Sequence, residues 1–106
     1  AATDEAKAAI EIALGGLYEL VGDGTTALTH FGAARDRAKL ELNPTRQLVL
    51  FLQRTGRNDE AMKHLLEAKE SPADEVSRWA RRHLALTMVA TPNAYAVRRD
   101  ALALVE

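Results

Sequence analysis

The chain has 106 residues, enough for one domain of ordinary size. It contains no cysteine, which excludes a disulfide framework, a thiolate zinc site and a cysteine nucleophile. A net charge of −1 gives no global attraction for nucleic acid, and no apolar run reaches the roughly 18 to 20 residues of a membrane helix. Alanine (20) and leucine (15) far outnumber valine and isoleucine (8 together), a balance that favours helix over strand. Aromatics are only 5%, too few for a stacking platform. The compartment stays open, with a soluble, cytoplasmic setting favoured. The chain starts without Met and reads as a piece of a longer protein.

Turn residues divide the chain into six predicted helices. The first spans about Asp4 to Val21, with Thr3 as N-cap and Asp4 and Glu5 at the positive end of its dipole. Gly22-Asp23-Gly24 ends it, and the second spans about Thr25 to Leu42. Asn43-Pro44 then joins a capping residue to a proline at the first helical position, where the missing N–H is harmless. The third helix runs to about Thr55 and stops at Gly56. Its run Leu48-Val49-Leu50-Phe51-Leu52 is apolar nearly all round, so this helix is expected to be buried. Asn58 caps the fourth, with Asp59 and Glu60 in the first turn. Ser71-Pro72 opens the fifth, where Asp74 stands at a capping-box position, and Thr91-Pro92 opens the sixth. Connections of about two to four residues make neighbours antiparallel, so the six helices form three hairpins.

The chain also has an internal period of 34. Gly22 and Gly56 share it, as do Ala27 and Ala61, Ala34 and Ala68, Leu14 and Leu48, and His30 and His64. Phe31 and Leu65 are an apolar pair at the same offset. Small residues at Gly15, Ala27, Ala34, Ala61 and Ala68 let helices approach closely, while Leu14, Tyr18, Phe31, Leu48, Leu52 and Leu65 fill the space between. One such hairpin cannot bury its apolar face alone, so about three must stack.

On these residues the chain resembles the tetratricopeptide repeat family, whose unit is a 34-residue helical hairpin. The first unit, about 8–41, carries Leu14, Gly15, Tyr18, Gly22, Ala27, Phe31 and Ala34; the second, about 42–75, carries Leu48, Gly56, Ala61, Leu65 and Ala68. The third, about 76–106, is degenerate: it keeps Trp79 but has His83 where a small residue is usual. The resemblance implies one all-α domain over 1–106, a right-handed superhelix (an α-solenoid) of three antiparallel helix pairs. It implies a protein-interaction scaffold, not an enzyme, that binds a peptide or partner protein in its concave groove. It also implies the groove positions: Ala9, Ile12, Ala13, Gly16, Glu19 and Leu20 in the first unit, Asn43, Arg46, Gln47, Leu50, Gln53 and Arg54 in the second. In the third they are Ser77, Ala80, Arg81, Leu84, Thr87 and Met88. The expected partner-binding set is Glu19, Asn43, Arg46, Gln47, Leu50, Gln53, Arg54 and Arg81, which offers hydrogen-bond donors to a peptide backbone or an acidic side chain. Family members that grip a C-terminal carboxylate use positions occupied here by Ile12, Gly16, Gln47, Ser77 and Arg81; only Arg81 keeps the residue type.

The remaining polar residues point to no chemistry. His30 and His64 share a repeat position and stand one repeat apart, too far to share an ion, and with His83 they read as surface or groove-edge histidines. The pairs Asp4-Glu5, Asp59-Glu60 and Asp74-Glu75 each lie in a first helical turn, where the dipole accounts for them. Gly15-Gly16 reads as a close-packing site. Neither a catalytic site, a metal site nor a cofactor is expected. Residues 76–106 carry five arginines against Asp100 and Glu106, a local +3. They read as a solvated face, some pairing with acids such as Glu67 or Glu70. Two other classes fit the same residues. One is a self-associating or structural segment of a longer solenoid, a homo-oligomer included, because the apolar stretch Ala101-Leu102-Ala103-Leu104-Val105 has no polar cap. The other is an accessory domain of a multidomain enzyme or regulator.

Overall fold

The computed structural model describes residues 3–89. The sixth predicted helix, Arg98, Arg99 and the stretch 101–105 lie outside them. Five helices make up 83% of the described residues, and no strand occurs among them, so this part of the chain is all-α. They are α1 (Asp4–Leu20), α2 (Gly24–Arg37), α3 (Leu42–Arg54), α4 (Asn58–Lys69) and α5 (Asp74–Val89).

Thr3 caps α1 as expected, its hydroxyl oxygen accepting from the Ala6 N–H at 3.1 Å. The α1–α2 and α3–α4 junctions close in the same way, 34 residues apart. Gly22 (φ 85°) and Gly56 (φ 80°) both adopt the left-handed conformation that a Cβ disfavours. The Gly22 N–H donates to the Glu19 carbonyl (3.1 Å) and the Asp23 N–H to that of Tyr18 (2.9 Å). The Gly56 N–H donates to Gln53 (3.2 Å) and the Arg57 N–H to Leu52 (2.7 Å). Each pair of bonds satisfies carbonyls that the helix end leaves open. The Asp23 side chain then caps α2, accepting from the Thr26 N–H at 3.1 Å.

Four expected boundaries move. α2 ends at Arg37, not Leu42, because the chain needs residues 38–41 to reverse direction, and Ala38 is buried in that turn. α3 starts at Leu42 after Glu41, so Asn43 is not its cap; Pro44 falls in the first turn, where any of the first N–H groups is dispensable. Asn58 is the first residue of α4 and Arg57 precedes it, since the glycine turn already engages the Arg57 N–H. Asp74 does not cap α5: its carboxylate takes Arg78 at 3.2 Å, and Ser71 closes the preceding loop by accepting from the Ala73 N–H.

α3 is the centre of the core. Leu48, Val49, Phe51 and Leu52 are buried around it, as the apolar run predicts, with Ala27 and Phe31 from α2, Ala61 and Leu65 from α4, and Val76, Ala80 and Leu84 from α5. The Phe31 and Phe51 rings meet at 4.9 Å. Gly15 lets α1 settle on Phe31, where a Cβ would lie 2.9 Å from the ring. α2 packs on both α1 and α3, and α4 on both α3 and α5, while α1, α3 and α5 touch side by side with α3 in the middle. The result is a slab of 47 × 32 × 14 Å.

α5 keeps the 34-residue register only in part: Phe51 and Ala85 are both buried and Gln53 bonds to Thr87, but other positions shift. Continuing that register from Leu48 and Leu52 would turn Arg82 and Leu86 inward, yet both are exposed, and α5 buries Val76, Ala80, Leu84 and Ala85. Burying Arg82 without a partner would desolvate a charge, and rotation of the helix avoids it.

Candidate functional site

The side-by-side helices α1, α3 and α5 carry all eight residues expected to bind a partner. Seven of their side chains fall into three groups, and Arg81 stands apart. At the C-terminal ends of α1 and α3, Glu19 and Arg54 bind each other: Arg54 Nε donates to Oε2 at 2.8 Å and Nη2 to Oε1 at 2.6 Å. That fork-to-fork bond holds the Glu19 carboxyl below its ordinary range and raises the Arg54 guanidinium, with burial opposing both. The guanidinium also lies 5.4 Å from the centre of the Phe51 ring and 5.9 Å from that of Phe31.

The second group joins α3 to α5. His83 Nε2 lies 2.7 Å from Gln53 Oε1, Gln53 Nε2 donates to Thr87 Oγ1 at 3.0 Å, and the Thr87 hydroxyl donates to the His83 carbonyl at 2.9 Å. Because Gln53 Oε1 can only accept, His83 carries its proton on Nε2, and the ring of bonds has one consistent direction. The His83 ring stacks on Trp79 at 4.9 Å, and burial pushes its pKa down. His83 and Thr87 thus join Gln53 as a unit. The register carries part of that signal, because Glu19, Gln53 and Thr87 recur at 34-residue intervals and all three bond to a neighbouring helix.

The third group lies in the first turns of α3. Arg46 Nη2 and Gln47 Nε2 both donate to Asn43 Oδ1, at 3.0 and 3.4 Å. Leu50 is half-buried on the same helix. A cavity of about 170 Å³ separates this turn from the start of α1, lined by Glu5, Ala8, Ala9, Ile12, Glu41, Asn43 and Pro44. Arg81, on α5, is exposed and has no hydrogen bond or ion pair with another described residue. Ala80 and Leu84, expected to line the groove, are instead fully buried in the core through the rotation of α5.

The α5 arginines do not reach Glu67 or Glu70. Arg78 pairs with Asp74 on its own helix, Glu67 takes Arg35 of α2 at 2.7 Å, and Glu70 lies 3.9 Å from Lys69. The Arg35–Glu67 pair stands at the edge of a second cavity, of about 280 Å³, that also exposes Lys39, Thr45 and Ser71. His30 lies 2.6 Å from Glu11 and stacks on Tyr18, whereas the half-buried His64 has an Nδ1 with no partner. Among the described residues no three His, Asp or Glu side chains gather to hold a metal ion, and no helix is long and apolar enough to cross a membrane. No family model, curated protein or solved structure matches the chain.

Proposed function

We propose that this chain is a protein-interaction module of tetratricopeptide type, a right-handed stack of helical hairpins that takes a peptide or partner protein against the α1/α3/α5 face. The observation that carries this reading is the polar framework of that face. Glu19 and Arg54 hold α1 to α3, and Gln53 holds α3 to His83 and Thr87 of α5. With their donors and acceptors used on one another, these groups set the spacing of three helices. A face fixed in advance loses less entropy when a partner binds. The common closure of the junctions at Gly22 and Gly56 supports the repeat architecture, with α5 as the first helix of a degenerate third unit over about 76–106.

Within this framework Arg46, Gln47 and Arg81 are the donors that face a partner, and Leu50 offers the apolar contact between them. Two arginines favour an acidic segment. A displayed library of random peptides selected on the full chain tests the reading. The selected peptides should be enriched in Asp and Glu, and the Arg46→Ala/Arg81→Ala variant should bind them at least about tenfold more weakly, a loss of about 1.4 kcal/mol. Arg57→Ala, in the α3–α4 turn, should leave binding unchanged. Equal affinity for the double variant and the parent chain would remove the assignment of this face.

A further inference from the structure

We propose that the cavity of about 280 Å³ bounded by the ends of α2 and α4 and the starts of α3 and α5 is a binding site for a small monocarboxylate, a single carboxylate on a short apolar chain. None of the eight residues of the α1/α3/α5 face lines it, so it is independent of the partner-binding reading. Thr45, in the first turn of α3, lines the cavity although it is only 4% exposed, and its hydroxyl makes no hydrogen bond with any described residue. Thr29 and Thr87 show the ordinary alternative, each turning its hydroxyl onto a carbonyl four residues back on its own helix. Buried polar groups are as a rule satisfied, so the Thr45 hydroxyl calls for an acceptor in the cavity.

Two more donors border the same space. Ser71 accepts from the Ala73 N–H at 3.1 Å, which leaves its own proton to give, and Lys39 is exposed with no ion pair among the described residues. The charges select the ligand. Glu67 is taken by Arg35 at 2.7 Å and Glu70 lies 3.9 Å from Lys69, so among the described lining residues Lys39 is left uncompensated. Carbonyls at the ends of α2 and α4 are engaged locally: those of Ala34 and Arg35 accept from the Ala38 N–H, and those of Glu67 and Ala68 from Glu70 and Ser71. α3 starts without a side-chain cap, so no side chain answers the positive end of its dipole. Leu40, Ala68, Pro72 and Val76 make the rest of the wall apolar. One positive charge and three donors beside an apolar wall fit a single carboxylate with a short hydrocarbon chain. Phosphate, with more charge and no apolar part, fits less well. The volume is just under the roughly 300 Å³ where pockets for drug-sized ligands begin, so the ligand is small.

Titration of the full chain with sodium butyrate, followed by NMR of the backbone amides, tests the site. Amide shifts should saturate at millimolar butyrate and centre on residues 39–45 and 68–76, around the cavity. Thr45→Val keeps the side-chain shape and removes the hydroxyl; Lys39→Met, at an exposed position, keeps the stem and removes the charge. Each should weaken butyrate binding by at least about fivefold. The amide spectra themselves show whether both variants stay folded. Butyramide, of the same size and uncharged, should give no saturating shift, and inorganic phosphate should bind more weakly than butyrate. Shifts that never saturate, as for a cavity that takes up water only, overturn the proposal. So does unchanged affinity in either variant, or butyramide binding as well as butyrate. Phosphate binding more tightly than butyrate overturns the choice of a carboxylate.

Discussion

Gly15 and Gly16 are neighbours in α1 with opposite surroundings. A Cβ at Gly15 would lie 2.9 Å from the Phe31 ring, and Phe31 is itself held against Phe51. A Cβ at Gly16 meets nothing within 4 Å. Gly15→Ala should therefore destabilise the fold by about 1–3 kcal/mol through overpacking. Gly16→Ala should stabilise it by about 0.5–1 kcal/mol, because alanine is the better helix former where nothing is crowded. Urea unfolding of the two variants checks the sign of each, and two effects of the same sign would contradict the contact at Phe31. Both glycines read as packing sites in the sequence, and only one is. The difference is a rotation of one residue around the helix, which a dipeptide cannot reveal. Glu19 and Arg54 show the same limit. Each was legible as a residue of the α1/α3/α5 face, but their mutual bond depends on how closely α1 approaches α3, and no spacing in the chain states that distance.

At the scale of elements, the legible boundaries are those set by local backbone chemistry. Gly22 and Gly56 stop their helices because the next turn needs a left-handed residue. The end of α2 was not legible, since nothing between Arg37 and Leu42 breaks a helix and the reversal is imposed by packing. The setting of α5 was only partly legible from the period, because the cost of burying Arg82 outweighs the register. The burial of α3 was legible from its composition, and it places the core's sensitivity there. Leu52→Ala should cost about 2–5 kcal/mol, as large-to-small changes in a packed core do. Leu66→Ala, on α4 and 44% exposed, should stay within about 0.5–1 kcal/mol of the parent. Denaturant midpoints of the two leucine variants check this contrast. Comparable losses would mean that α4, not α3, carries the core.

Across the whole molecule, each helix packs on the next one or two in sequence, and no backbone approach joins α1 to α4 or α5. Stability in such a stack is a sum of neighbour terms, so a local titration reaches the global unfolding equilibrium directly. Two histidines supply one. Burial, and then the charge of Arg35, hold the pKa of His64 below its ordinary 6.5; burial alone does so for His83. Above about pH 6.5 both are neutral in the folded and unfolded chains and contribute no slope. As pH falls below that value the unfolded chain takes up protons that the folded chain refuses, so stability declines until the lowered folded values are passed. Glu19 and Asp23, whose pKa values are lowered by Arg54 and by Thr26, lose their contribution only further down, from about pH 4.5. The acid response therefore begins with histidine, and the two carboxylates add to it lower down. His64 is the cleaner probe of that onset, because its Nδ1 has no partner to lose, whereas His83 also holds Gln53. Urea midpoints between pH 8 and 5 should fall for the parent chain below about pH 6.5. They should fall less steeply for His64→Leu, with little change at pH 8. An equally steep decline in both would place the onset on groups other than His64.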